Sequence, residues 1–352
     1  MLAALVIGLA SGAQAQSIGE VEQKWRAWMV RNNRTSGGIA VLQDGKPALE
    51  ATMGGLKPGA PVRLASLSKA ITAVCVARLV ERGSLGFDTT VGRALAGTLA
   101  RLGPPADKRL VDVTIGELLV HRSGLGRSGG DPTTSTALAD YLRRNPATDT
   151  AFDAQLRWTL RFALSSPPGE RFAYSNANYL LLGAAIEEAT GQAYETFCRK
   201  HVLVPLGAAS SARLDPAHRF MASYGGWSMK LQDYARFYQA FADGNSAIGP
   251  KARAWMMSPE AKSLGGGAHY GLGTFVRPTA KGGANFWHWG DWKYTLLDAY
   301  GGPITDSWMT YAVRIGAANA NATVYFEPKQ EEGAAQRDLD HELAQALAAL
   351  RR

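Results

Sequence analysis

Ser66-Leu67-Ser68-Lys69 lies between an extended segment, Val62-Arg63-Leu64, and an apolar stretch with helical spacing that continues to Arg82. Because residues three apart share one face of a helix, the Ser66 hydroxyl and the Lys69 amine can point into the same space. A serine hydroxyl needs a base nearby, and a lysine amine is a base only where its surroundings lower its pKa. The N–H groups at a helix start can also stabilise an oxyanion. The stretch predicts a nucleophile and its base, although an N-cap serine followed by a surface lysine gives the same pattern.

A second motif, Tyr174-Ser175-Asn176, follows Pro167-Pro168-Gly169-Glu170 and precedes a helix predicted to begin near Asn178. Side chains alternate along extended chain, so Tyr174 and Asn176 are expected to face one side together. A phenol can pass protons and an amide can hold a substrate carbonyl. A buried aromatic ring beside a helix-capping asparagine is the alternative.

A third motif, His288-Trp289-Gly290, lies on a predicted strand after Gly282 and Gly283. Alternation places His288 and Gly290 on one face, where the glycine lets a substrate backbone lie close to the strand. A tryptophan-rich core strand with an incidental histidine is the alternative.

Predicted strands lie towards both ends of the chain and predicted helices occupy its middle. The pattern predicts an α/β plus α fold, in which one antiparallel sheet is flanked by terminal helices and carries a large helical insertion. A single catalytic domain, residues 16–352, would comprise an α/β subdomain (16–65 and 263–352) and a helical subdomain (66–262). The predicted strands are 38–42, 47–53, 270–277, 285–289, 294–300, 308–314 and 322–326; the predicted helices are 18–30, 66–82, 114–120, 178–189, 231–242 and 334–350.

The composition excludes several classes of protein. The chain has 352 residues, 46% hydrophobic and 19% charged, which is enough apolar material for a large core. Its net charge of +8 is spread without a run of basic residues, so no nucleic-acid partner is indicated. The six histidines are dispersed and no phosphate-binding glycine loop is present, so neither a metal nor a cofactor is expected. Cys75 and Cys198 lie in apolar helical stretches and are expected to be buried free thiols, with a disulfide as the alternative.

Residues 1–15 resemble a secretory signal. An apolar run, Leu2 to Leu9, is followed by Ala13-Gln14-Ala15, which is typical of a cleavage site. The run is too short to span a bilayer, so no integral membrane segment is expected in the mature chain. The basic residues that open such signals are missing, since Lys24 is the first Lys or Arg, and we expect a misplaced start or a few lost residues. The protein is therefore expected to be secreted or periplasmic.

The order and spacing of the three motifs resemble those of the serine β-lactamase and penicillin-binding-protein superfamily. The Tyr-X-Asn form is similar to the branch of class C β-lactamases, D-alanyl-D-alanine carboxypeptidases and family VIII esterases. The likeness extends through residues 118–125, residues 168–176 and Gly225-Gly226-Trp227-Ser228, and together these span roughly residues 30–330.

The resemblance implies roles for the site residues. Ser66 would be acylated, Lys69 and Tyr174 would share proton transfer, and Asn176 would position the substrate. The backbone N–H groups of Ser66 and Asp291 would form the oxyanion hole. Asp291 departs from the family pattern, because a carboxylate near an oxyanion is unfavourable, but alternation should turn its side chain away from Gly290 and the cleft.

His288 departs further, because it occupies the position where β-lactamases place a lysine that meets the substrate carboxylate. With an ordinary pKa of about 6.5, its imidazole would carry little charge above pH 7. Ester or amide hydrolysis is therefore expected over β-lactam hydrolysis.

The sequence predicts an esterase or a D-amino-acid-specific peptidase that acts on a small-molecule or peptide acyl substrate. Acyl transfer and β-lactam hydrolysis within the same family are alternatives, and so is a catalytically silent protein that binds envelope peptides. The acyl group depends on loops such as Gly126 to Thr134, whose shape the sequence does not give.

Overall fold

A computed structural model describes residues 18–126, 131–134, 148–258, 261–280, 282–297, 303–328 and 332–350. The predicted signal segment, residues 1–15, lies outside these ranges. So do residues 127–130 of the predicted pocket loop and residues 298–300 of one predicted strand.

An antiparallel sheet forms one layer of the molecule. Its strands are β1 (Gly37–Gln43), β2 (Lys46–Met53), β6 (His269–Tyr270), β7 (Phe275–Pro278), β8 (Ala284–Leu297), β9 (Pro303–Ile315) and β10 (Ala320–Phe326). They pair in the order β2-β1-β10-β9-β8-β7-β6, so the early and late parts of the chain meet where β1 pairs with β10. A smaller sheet contains β3 (Val62–Arg63), β4 (Arg213–Leu214) and β5 (Trp227–Met229) in the order β3-β5-β4.

The helices in the described residues are α1 (18–31), α2 (Ser68–Glu81), α3 (Val91–Ala94), α4 (Ala96–Leu102), α5 (Ile115–Leu119), α6 (Thr148–Thr159), α7 (Asn176–Thr190), α8 (Tyr194–Cys198), α9 (Leu231–Phe237), α10 (Gly249–Met256) and α11 (Gly333–Ala349). The first and last helices pack on the sheet, where Trp25 and Trp28 of α1 and Leu339 and Leu343 of α11 share one buried cluster with strand residues. The Trp28 indole Nε1 donates to the backbone oxygen of Ala335 at 2.9 Å, which ties these two helices together.

Helix α2 is deeply embedded in the helical region. Every one of its residues is buried except Arg78 and Glu81, as expected for a helix that is surrounded by other elements. A disulfide joins Cys75 of α2 to Cys198 of α8, with their Cα atoms 5.6 Å apart. The prediction of free thiols is therefore wrong: packing of the two helices brings together cysteines separated by 123 residues.

The predicted fold class is confirmed: an antiparallel sheet with terminal helices packed on it and a helical insertion. One strand differs from the prediction, because β8 is continuous where two strands, 285–289 and 294–300, were expected. Pairing with β9 runs through Gly290 and Asp291, opposite Thr310 and Met309, so the strand continues across the gap between the two predicted strands. In the part of the chain that the structure describes, no helix is both long and apolar enough to cross a membrane.

Candidate active site

Ser66 lies in a short 3₁₀ turn, Ala65–Leu67, that connects β3 to α2. Ala65 adopts a φ of +48°, a left-handed conformation that costs about 1–2 kcal/mol for a residue with a Cβ. Neighbouring elements hold the turn in place: Thr310 Oγ1 donates to the Leu64 oxygen at 2.7 Å, and the Tyr234 hydroxyl donates to the Leu67 oxygen at 2.8 Å. Strain of this kind persists where the surroundings fix the backbone, which is common at active sites.

Gly290 lets strand β8 pack directly against this turn. A Cβ on Gly290 would lie 2.2 Å from Thr310 Oγ1 and 2.4 Å from the Leu64 oxygen. The predicted role for the glycine, room for a substrate backbone, differs from this packing, because protein atoms already fill the space next to its Cα. Gly290 thus determines how closely the strand approaches the nucleophile turn.

Gly290→Val should displace the nucleophile turn and reduce kcat/KM by about 100-fold or more, since small misplacements of reacting groups are costly. Overpacking should also destabilise the protein by about 1–3 kcal/mol. Gly55→Val is the matched control, because a Cβ at exposed Gly55 meets nothing within 4 Å. Denaturant unfolding and ester kinetics test both effects; equal behaviour of the two variants would show that Gly290 does not support the turn.

Lys69 is fully buried beside Ser66. Its Nζ donates to Ser66 Oγ at 3.0 Å, to Asn176 Oδ1 at 2.7 Å and to the Tyr224 backbone oxygen at 3.0 Å. Burial lowers the pKa of Lys69 from its ordinary value of 10.5 to about 7, while the charge of Asp131 acts in the opposite direction. A large fraction of the amine is therefore neutral near pH 7, as a general base requires.

Tyr174 also contacts the nucleophile. The Ser66 hydroxyl hydrogen-bonds the Tyr174 phenol, and Lys69 Nζ lies 4.9 Å from the centre of the ring. Packing around the phenol raises the pKa of Tyr174 above its ordinary value of 10.0, and the hydrogen bond to Ser66 only partly offsets that rise. Tyr174 is 38% exposed, so a substrate can reach it from solvent. A protonated phenol here can donate a proton to a leaving group.

Asn176 is the first residue of α7, so it is helical where an extended conformation was expected. The helix begins two residues before the predicted start near Asn178, because Ser175 caps it: Ser175 Oγ accepts from the Ala177 N–H at 3.2 Å. The capping residue is thus the serine, and the Asn176 side chain remains free to accept from Lys69.

His288 is 3% exposed and both of its ring nitrogens have protein partners. Nδ1 contacts the Trp289 backbone oxygen, which can only accept, so Nδ1 carries the hydrogen. Nε2 therefore accepts from the Tyr270 hydroxyl at 2.9 Å. Burial, together with the nearby Lys69, lowers the pKa of His288 to about 3. Titration near pH 6.5 was expected from the residue type, but the structure indicates a neutral ring throughout the physiological range.

Asp291 has an exposed side chain, whereas Gly290 lies under the nucleophile turn. The contact of Gly290 with Leu64 and Ala65 brings the adjoining Asp291 backbone close to that turn. An oxyanion hole formed by the N–H groups of Ser66 and Asp291 stays a prediction.

Four residues around the site were not singled out from the sequence: His121, Asp131, Tyr224 and Tyr270. Buried His121 accepts the Ser175 N–H at Nδ1 (3.2 Å), and its ring centre lies 4.3 Å from that of Tyr174. Tyr224 accepts from Lys69 through its backbone oxygen, and the residue type does not indicate such a contact. The Asp131-Pro132-Thr133 turn is a recognisable signal, because aspartate commonly accepts hydrogen bonds from residues just after it.

Ser68, the other hydroxyl in the first motif, has a structural contact. It is buried, and its Oγ accepts the Trp227 N–H at 3.2 Å.

A cavity of about 560 Å³ lies apart from Ser66. Phe87 and Trp255 form part of its wall, and so do Phe172 and Tyr270, whose rings pack on the His121 ring. None of Ser66, Lys69 and Tyr174 lines this cavity, so the cavity is separate from the candidate active site. Among the described residues, no group of three or more His, Cys, Asp or Glu side chains is arranged to hold a metal ion.

Residues 21–299 match the sequence profile of the beta-lactamase family, and the chain belongs to that family. The likeness to this and the penicillin-binding-protein-like superfamily, first inferred from the motifs, is confirmed.

Particular relatives share parts of the chain. Esterase EstB of Burkholderia gladioli is 36% identical over 178 residues, covering 49% of this chain and 42% of the esterase. Penicillin-binding protein 4 of Amycolatopsis lactamdurans is 33% identical over 160 residues, covering 44% of this chain and 37% of that protein. The matches thus span less than half the length of these relatives. A D-stereospecific amidohydrolase from Streptomyces sp. has the same fold, with a TM-score of 0.68 at 18% identity over 94% of this chain and 98% of that one.

Proposed function

We propose that the protein is a serine hydrolase that cleaves an ester or amide through an acyl-enzyme on Ser66. The observation that carries the proposal is the position of the Ser66 hydroxyl. It lies between a buried amine with a pKa of about 7 and a phenol that remains protonated at neutral pH. This arrangement supplies a nucleophile, a base that is active at neutral pH and a proton donor in contact with one another.

In the proposed reaction, neutral Lys69 takes the proton of Ser66 as Oγ attacks the substrate carbonyl carbon. The Ser66 and Asp291 N–H groups stabilise the oxyanion of the tetrahedral intermediate. When the intermediate collapses, the carbonyl re-forms and the bond to the leaving group breaks. The leaving alcohol or amine takes a proton from Tyr174, which regains one from Lys69. Water then attacks the acyl-enzyme by the reverse proton route and releases the acid.

The same site favours neutral acyl substrates. His288 offers neither a charge nor an unengaged N–H to a substrate carboxylate, because its one hydrogen bonds the Trp289 oxygen. Likeness to an esterase supports ester cleavage, and likeness to a D-stereospecific amidohydrolase keeps D-amino-acid amides and peptides among the substrates to test. Export from the cytoplasm, suggested by residues 1–15, is part of the proposal.

Steady-state kinetics with p-nitrophenyl esters, D-amino-acid amides and a penicillin test this assignment. We expect turnover of neutral esters with the highest kcat/KM in the panel and weak turnover of the penicillin. Absence of turnover and of covalent modification with every substrate would instead indicate a silent binding protein.

The pH dependence should follow Lys69 and not His288. Lys69 must be neutral to accept a proton, so kcat/KM for a neutral ester should rise with pH through about 7. The pKa of His288, about 3, lies far below this range. The ratio of kcat/KM for a carboxylate-bearing ester to that for a neutral ester should therefore stay constant between about pH 6 and 8. A ratio that rises as pH falls would show that His288 titrates and meets the carboxylate.

A further inference from the structure

We propose that Asp131 is a positioning residue of the active site: its carboxylate anchors the Asn176 end of α7, where the Asn176 side chain accepts from the Lys69 amine, and its negative charge acts on that amine. The inference rests on the proposed function, in which Lys69 is the base. It adds that Asp131 orients this base and affects its pKa.

The carboxylate joins two elements. Asp131 Oδ2 accepts the Asn176 N–H at 2.5 Å. Its Oδ1 accepts the Thr133 N–H at 2.9 Å and the Thr133 hydroxyl at 2.8 Å, which holds the 3₁₀ turn Pro132–Thr134. One side chain therefore fixes this turn against the first residue of the helix.

The anchor reaches Lys69 through Asn176. The backbone N–H of Asn176 is held by Asp131, while its side-chain Oδ1 accepts from Lys69 Nζ at 2.7 Å. Any shift of this helix end would move the acceptor that orients the amine towards Ser66. Asp131 therefore acts on the reacting groups through Asn176, without contact to Ser66 itself.

The other polar groups around Lys69 carry no formal charge near neutral pH. Three tyrosine rings lie within 6 Å of its Nζ, those of Tyr174, Tyr179 and Tyr224, and burial raises the pKa of each phenol. Burial also lowers the pKa of His121 and of His288, so both imidazoles are neutral. Among the described residues, Asp131 is the one carboxylate whose charge acts on Lys69.

The two influences on the amine oppose each other. Burial favours the neutral amine, whereas the Asp131 charge favours the ammonium and raises the pKa of Lys69. An amine with a pKa near the working pH can both take the serine proton and pass one on to Tyr174 after the leaving group has been protonated. Removing the charge should make Lys69 a weaker base that is neutral at lower pH, and the acid side of the rate profile should move with it.

The test separates charge from packing with three variants. Asp131→Asn and Asp131→Ser are neutral, and serine is a good acceptor at a helix start. Asp131→Glu retains the charge. Asp112→Asn is the matched control, because it removes the same charge from an exposed carboxylate that does not act on Lys69. The measurements are the pH profile of kcat/KM and a direct NMR titration of ¹³C-labelled lysine, with the Lys69 signal assigned by its absence in Lys69→Met.

Both neutral variants should lower the Lys69 titration midpoint, and the acid limb of the rate profile, by about one pH unit. Asp131→Glu and Asp112→Asn should leave the midpoint close to that of the wild type. An unchanged or higher midpoint in a folded neutral variant would overturn the inference. The NMR titration does not require turnover, so a shifted midpoint in a protein without acyl-enzyme formation would refute the proposed function and leave the role of Asp131 intact.

Discussion

Ser66→Ala should reduce kcat/KM for p-nitrophenyl esters by a factor of about 10⁴ or more, because the variant loses the atom that is acylated. Ser66 is the middle residue of its turn and is only half-buried, so the folded structure loses little packing. The melting temperature should accordingly change little. Ester kinetics and thermal unfolding of the same preparation distinguish loss of chemistry from loss of fold.

Ser68→Ala is the matched control for this prediction. Ser68 Oγ accepts the buried Trp227 N–H, and a buried donor without a partner costs about 1–3 kcal/mol. The control should thus lose stability and retain turnover, the opposite of Ser66→Ala. If Ser68→Ala abolishes turnover while Ser66→Ala preserves it, Ser68 is the nucleophile.

Lys69→Met should lower kcat/KM by about 10² to 10⁴, the usual contribution of a general base. Methionine fills a similar volume but cannot take the Ser66 proton, and it leaves Asn176 Oδ1 without its donor. If Lys69 and Tyr174 act as a unit, adding Tyr174→Phe should cost less than the sum of the two logarithmic losses. Strict additivity in the double variant would show that they serve separate steps.

Lys69→Met should also change how the free energy of unfolding depends on pH. The folded pKa of Lys69, about 7, lies below its ordinary value of 10.5, so in that window the unfolded chain binds a proton that the folded chain does not. Raising the pH there stabilises the folded wild type, by about 1.4 kcal/mol per pH unit relative to Lys69→Met. Denaturant unfolding of both proteins between about pH 7.5 and 9 measures the difference. A difference that does not change with pH would mean that Lys69 is not buried as a neutral amine.

Local rules account for what the sequence predicts well. A spacing of three residues predicts that Ser66 and Lys69 share one face. In the structure, Lys69 Nζ lies 3.0 Å from Ser66 Oγ. Asp44 and Gly45, which connect β1 to β2, both have positive φ, and an Asp-Gly pair is typical of such a two-residue hairpin turn.

Features that depend on distant parts of the chain could not be predicted in this way. The disulfide needs the packing of α2 against α8, and the low pKa of His288 needs its burial beside Tyr270 and Lys69. Position 290 needs a glycine because a Cβ there would clash with the Leu64 backbone oxygen. The sequence pattern of β8 does not indicate this contact, because the oxygen belongs to another part of the chain. The role of Asp131 could not be predicted either, because its hydrogen-bond partner Asn176 is 45 residues away in the chain.

The most direct test of the account is mass spectrometry of the wild-type protein quenched during turnover of p-nitrophenyl acetate. Trypsin should cleave after Arg63 and Lys69 and release Leu64-Ala65-Ser66-Leu67-Ser68-Lys69. We expect one acetyl group on this peptide, and fragmentation should place it on Ser66. An acetyl group on Ser68 or on another peptide, or hydrolysis without any acylated protein, would contradict the central claim that Ser66 carries the reaction.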